Sequence, residues 1–181
     1  ESSVIKRLCN EKTKVSAHYF IKKNGEIINF VPDLYEAWHA GNSSWKKDKS
    51  LNKNSIGIEI QNQGHQHKYE KFLPKQIISL KGLLRELIGK YSINLNNILG
   101  HSDIAPERKK DPGENFPWKN LARVNLAKWH NLNEKKLKQK RLKKLDIAEE
   151  KVFMNNLNSI GYNKITRFNS NLNKKLLYKA F

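Results

Sequence analysis

Apolar residues recur at intervals of three and four from Ile77 to Tyr91, taking in Leu80, Leu84, Leu87 and Ile88. That spacing lays one apolar stripe along a helix, and Pro74 suits its first turn, where a missing N–H costs nothing. Upstream the pattern changes. Residues 15–21 and 26–31 read as strands joined at Asn24-Gly25, a pair that tolerates the positive φ of a tight hairpin. Residues 55–61 form a continuous apolar strand interrupted only by Gly57 and Glu59. A glutamate in such a strand is either an edge residue or a functional one. Residues 95–99 suggest another short strand, residues 3–9 a helical lead-in, and Pro117-Trp118 the start of a short helix running toward Trp129. Residues 38–50 are polar and read as a loop. Strands alternating with helices predict an α/β fold, a sheet with helices on its faces.

The pattern shifts again after His130. Residues 131–145 carry seven basic side chains against Glu134, with leucines at 132, 137, 142 and 145. Charge runs usually mark exposed faces, so this stretch reads as a solvated helical linker rather than a binding element. Beyond it Val152, Phe153, Leu157 and Ile160 precede Gly161-Tyr162, and a second amphipathic stretch brings in Leu172, Leu176, Leu177, Ala180 and Phe181. A chain of 181 residues accommodates one domain and a small appendage. The expected division is residues 1–130, a basic linker at 131–146 and a helical module at 147–181.

Lysine and arginine number 35 against 17 acidic residues, a formal charge of +18. Such a charge ordinarily points to nucleic acid or an anionic surface. Here lysine, asparagine and isoleucine are abundant throughout, the bias of an AT-rich genome, and no nucleic-acid module stands out; no nucleic-acid partner is expected. Cys9 is the only cysteine, which excludes an intramolecular disulfide and a thiolate zinc cluster. No hydrophobic run is long enough to span a membrane.

Candidate chemistry lies in Gly100-His101-Ser102-Asp103-Ile104-Ala105-Pro106-Glu107-Arg108-Lys109-Lys110-Asp111-Pro112-Gly113. An imidazole and a carboxylate ten residues apart, with an ammonium between them, suit a catalytic zinc. Pro106 and Pro112-Gly113 favour a loop that folds back and lets His101 and Asp111 converge. The run resembles the signature of the zinc-dependent N-acetylmuramoyl-L-alanine amidases of type 2. Three further segments resemble that family in the right order: residues 15–27 its hairpin, Ala37-Trp38-His39-Ala40-Gly41 its substrate-side loop, and residues 54–60 the strand bearing its glutamate.

The resemblance implies a mixed central sheet flanked by helices and hydrolysis of the amide between N-acetylmuramic acid and L-alanine in peptidoglycan or a muropeptide. It makes His101 and Asp111 ligands of Zn2+, Glu59 the general base, Lys109 the group facing the oxyanion, and Trp38 and His39 substrate contacts. Asp103 would hold the loop by hydrogen bonds. His18 reads as core or cleft, and His65, His67 and His130 as surface. The family's first zinc ligand is a histidine on an earlier strand, expected upstream of Glu1, so the chain reads as a fragment whose start lies further upstream. The L-x-x-I-G-Y pattern ending at Tyr162 resembles a small three-helix peptidoglycan-binding module. With it go expectations of the cell envelope, periplasm or secretion rather than the cytoplasm, and of a monomer. The alternative is a non-catalytic peptidoglycan-recognition protein of the same fold.

Overall fold

A computed structural model describes residues 2–65, 69–142 and 144–162. His67 and the stretch from Leu172 to Phe181 lie outside them. A central sheet runs β2 (Ile27–Asn29), β1 (Tyr19–Ile21), β5 (Ile58–Ile60). The β1–β2 pair is antiparallel, with Phe20 opposite Ile28, and the β1–β5 pair is parallel, with Phe20 opposite Glu59. The sheet is therefore mixed, and the expected α/β architecture is present.

Alternation along the strands decides what each face carries. Ile21, Ile58 and Ile60 join the apolar stripe of α2 (Pro74–Tyr91), where Ile77, Leu80, Leu83, Leu84 and Leu87 are buried. Each leucine removed from water there stabilises the fold by about 1.5–3 kcal/mol. Phe20 faces the other way and packs with Leu8 of α1 (Ser2–Leu8), Ala17, Ile28 and Phe30. Glu59, in register with Phe20, lies on that second face and not against α2. Gln76 ties the helix start to the sheet: its Oε1 accepts from Leu73 N at 3.0 Å and its Nε2 donates to the Gln61 carbonyl at 2.8 Å.

The strands are shorter than the apolar pattern suggested. Ser16 N donates outside the sheet, to the Trp38 carbonyl, while His18 only continues the strand ends, its N donating to the Gly57 carbonyl and its carbonyl accepting from Phe30 N. Residues 95–99 are not a strand: Leu95–Asn97 is a 3-10 turn. The Asn94 side chain accepts from Asn96 N at 2.9 Å, the local competition that asparagine offers to a ladder. The polar loop at 38–50 contains a two-stranded ladder, β3 (Ser44–Trp45) with β4 (Asp48–Lys49). After α3 (His101–Ile104) and α4 (Trp118–Ala122) comes α5 (Glu134–Leu142), where Lys135, Lys136, Lys138 and Gln139 are exposed. α6 (Ile147–Ile160) follows. Leu157 and Tyr162 are buried in a cluster with Ala40, Trp45, Leu51, Ile104 and Ala105. Among the described residues no helix is long and apolar enough to cross a membrane.

Candidate active site

His101 is the first residue of α3, and the loop behind it returns as expected. Arg108 N and Lys109 N donate to the Ala105 carbonyl at 3.1 and 3.0 Å, and Ser102 N donates to the Asp111 carbonyl at 2.8 Å. These bonds bring His101 Nδ1 to 3.0 Å from Asp111 Oδ2. Burial would raise the Asp111 carboxyl, but the hydrogen bond and charge of His101, with Lys109, hold it below its usual range. Asp103 Oδ2 accepts from Gly100 N at 2.7 Å and its Oδ1 from the Tyr162 hydroxyl at 2.6 Å, which fixes the start of the helix. Tyr69 donates to the Pro112 carbonyl at 2.5 Å, bracing the backbone just after Asp111.

Glu59 looks toward this loop from the sheet. Burial pushes its carboxyl up and the Asp111 charge pushes it further, while His101, Lys109 and Arg7 pull it down. Glu59, His101, Lys109 and Asp111 thus lie within electrostatic reach of one another. A half-buried carboxyl with a raised pKa is better suited to taking a proton and returning it than a fully solvated one.

The loop at residues 37–41 divides in two. Trp38 is anchored by its backbone N–H on Ser16 Oγ at 2.8 Å and remains 47% exposed as a residue. His39 is tucked in: its Nε2 lies 3.3 Å from the Ser55 carbonyl and its ring meets His18 edge-on at 5.5 Å. Burial, then His18, lower its pKa to about 4, so it is neutral at pH 7. Gly57 permits this contact, because a Cβ there would stand 2.2 Å from His39 Cγ. His18 is fully buried, its Nδ1 accepting from Gly57 N at 3.0 Å and its Nε2 donating to the Tyr35 carbonyl at 3.0 Å. Both nitrogens are committed, so His18 offers no lone pair to a metal. His130 is exposed, and His65 pairs with Glu114 at 2.9 Å while stacking on Tyr69.

The sequence did not single out Arg108. Its Nε donates to the Asn42 carbonyl at 3.0 Å, and a terminal nitrogen donates to the Ala40 carbonyl, clamping residues 40–42 to the His101 loop. The Ala40 carbonyl also lies 3.3 Å from His101 Nε2, so the protein side of the ring is occupied while Nδ1 faces Asp111. Among three adjacent basic residues nothing in the sequence marked this one.

Imidazole nitrogen and carboxylate oxygen suit zinc in kind. Two ligands of a tetrahedral zinc stand about 3.3 Å apart, close to the spacing of this pair. Two donors are fewer than zinc needs. Among the described residues no group of three or more His, Cys, Asp or Glu could hold a metal ion.

A sequence-family model described as N-acetylmuramoyl-L-alanine amidase matches residues 2–114. The N-acetylmuramoyl-L-alanine amidase AmiD of Escherichia coli (strain K12) is 41% identical over 128 residues, covering 64% of this chain and 46% of that protein. The 1,6-anhydro-N-acetylmuramyl-L-alanine amidase AmpD of Citrobacter freundii is 41% identical over 105 residues, covering 58% of this chain and 54% of that protein. The chain therefore spans about half the length of the curated relatives it matches. Among solved structures, AmiD from E. coli in complex with the substrate anhydro-N-acetylmuramic acid-L-Ala-D-gamma-Glu-L-Lys superposes with a TM-score of 0.71 at 32% identity, over 89% of this chain and 66% of that one.

Proposed function

Because the chain belongs to the N-acetylmuramoyl-L-alanine amidase family, we propose that it hydrolyses the amide bond between N-acetylmuramic acid and L-alanine in peptidoglycan or in a muropeptide. The observation that carries the reading is the meeting of Glu59 from the sheet with His101, Lys109 and Asp111 from one loop. In this reading His101 and Asp111 hold zinc together with a third donor, a histidine expected upstream of Glu1. Zinc bound there supplies a Lewis acid and lowers the pKa of bound water to about 7.

The chain's own groups do the rest. Glu59 takes the proton of the attacking water and passes it to the departing amine of L-alanine, which its raised pKa favours. Lys109 places positive charge where the oxyanion develops, and removing one such donor costs on the order of 3 kcal/mol in the barrier. The exposed Trp38 indole offers a stacking face for a sugar ring or the stem peptide, and neutral His39 flanks it. Action at the cell envelope or outside the cell, as a monomer, belongs to the same proposal. A C-terminal peptidoglycan-binding element does too.

The test compares zinc content with release of L-alanyl peptide from a purified muropeptide, for the 181-residue chain and for a chain extended upstream. Cleavage that Asp111→Ala abolishes together with zinc binding supports the proposal. So does Glu59→Gln keeping zinc while kcat falls about 10²–10⁴-fold. Binding of muropeptide without cleavage by either chain makes this a recognition protein and removes the catalytic roles of Glu59 and Lys109.

A further inference from the structure

α6 lies beyond the family match, which ends at residue 114, yet the chain just after it reaches the candidate site. At its C-terminal end Gly161 has φ +147 and passes so close to Trp45 that a Cβ would stand 2.7 Å from the indole. The Gly161 carbonyl accepts from Lys46 N at 2.8 Å, and the Tyr162 ring packs edge-on against Trp45 at 5.1 Å. Leu157, one helical turn earlier, is 1% exposed in the same cluster. This close approach aims the Tyr162 hydroxyl at Asp103 Oδ1, 2.6 Å away.

Asp103 sits two residues after His101. Its other oxygen accepts from Gly100 N, the residue before His101, so this one carboxylate holds both the entry of α3 and the end of α6. Next to it, Ser102 N donates to the Asp111 carbonyl, the bond that keeps the His101 turn against the Asp111 loop. Between Tyr162 and the His101–Asp111 pair stand only Asp103 and one turn of helix.

We propose that Tyr162 is a positioning residue: through Asp103 it fixes the His101 turn against the Asp111 loop, so the segment after residue 146 is part of the active-site architecture. The functional side of this inference rests on the amidase reading above; its structural side does not. Without the hydroxyl, Asp103 keeps Gly100 N alone among the described residues, the turn gains freedom, and His101 and Asp111 drift from their 3.0 Å separation. Tyr162→Phe keeps the ring against Trp45 and removes that single donor.

The experiment is amide hydrogen exchange by NMR on the full chain and on Tyr162→Phe. The expected result is exchange at Ser102 faster by about tenfold in the variant, as losing one charge-assisted hydrogen bond from a local opening unit allows, with Gln61 and Ile77 amides unchanged within about twofold. Ser102 exchange unchanged, or the same acceleration at all three amides, overturns the proposal, since a purely structural tyrosine shifts all sites together. An Asp103→Ala background supplies the second measurement: Tyr162→Phe adds no further acceleration at Ser102 there if it acts through Asp103, and an undiminished effect refutes that route. With an active chain, muropeptide kinetics show kcat falling about tenfold at constant KM. Inactivity of both the 181-residue chain and the chain extended upstream, with selective Ser102 acceleration, refutes the amidase reading and leaves the positioning intact.

Discussion

Asp33 offers a prediction whose size follows from the structure. Its side chain is 8% exposed, and its carboxylate accepts from Tyr19 OH at 2.5 Å, Tyr91 OH at 2.7 Å and Lys90 Nζ at 3.0 Å. Burial alone would raise its pKa, but the two hydroxyls and the Lys90 ammonium lower it from 3.8 to about 2. A depressed carboxyl stabilises the fold above its unfolded pKa, and the contribution is lost as pH falls toward the folded value. At about 1.4 kcal/mol per pKa unit, the charge contributes about 2 kcal/mol at pH 7 and pH 4 and about 1 kcal/mol at pH 3. Asp33→Asn removes the charge and keeps the shape. Urea unfolding of both chains at pH 7, 4 and 3 isolates this contribution, because acid destabilisation common to both cancels in the difference. The stability gap should hold down to pH 4 and narrow by about half at pH 3. A gap that is absent at pH 7, or that closes between pH 5 and pH 4, refutes the depressed pKa and the three-donor network behind it.

Other substitutions test the site more directly. Gly57→Ala drives a methyl into the His39 ring, so thermal unfolding should show a loss of about 1–3 kcal/mol, the usual cost of overpacking, and an unchanged Tm contradicts the contact. A ¹³C NMR titration of the Glu59 carboxyl should give a midpoint above 4.5, and Lys109→Met should move it higher because Lys109 is one of the charges pulling it down. A midpoint at or below 4.5 denies Glu59 its buried, base-like setting. Arg108→Gln releases the Ala40 and Asn42 carbonyls and with them the loop bearing Trp38 and His39, so KM for a muropeptide should rise about tenfold at similar kcat. A fall in kcat alone places Arg108 in the reaction rather than in the loop.

What could be read from the chain was local or periodic. The stripe of α2 announced itself at three- and four-residue spacing, and Leu83, absent from the expected face, joins it as a neighbour of Leu84. Glu59 stood out because an apolar strand has no local reason to hold a carboxylate. His101 and Asp111 were legible because one loop of ten residues carries both. The strand expected at 95–99 shows the limit: its apolar residues fit either conformation, and Asn94 just before them favours the turn through a side-chain bond to Asn96 N. Arg108 and Tyr162 were illegible for another reason. Their partners lie 68 and 59 residues away, and contacts of that range leave no period in the sequence. The Gly161-Tyr162 pair reads in the sequence as the end of a helical stretch, and its bond to Asp103 shows only in three dimensions.

The candidate site is therefore assembled by two mechanisms with different failure modes. Glu59 is placed by register: because β5 pairs in parallel with β1, a slip of one residue would turn it into the leucine layer of α2 and bring Ile58 and Ile60 out. Burying that carboxylate without partners costs several kcal/mol, so the core itself enforces the position of Glu59. The His101–Asp111 pair has no such guarantee. It depends on discrete bonds, Ser102 to Asp111, Tyr69 to Pro112 and Tyr162 to Asp103, any of which can be lost while the sheet and α2 remain folded. Substitutions in the sheet should thus alter stability and the setting of Glu59 together. Substitutions around the loop should separate them, leaving a folded chain with Glu59 in place and a loosened His101–Asp111 pair.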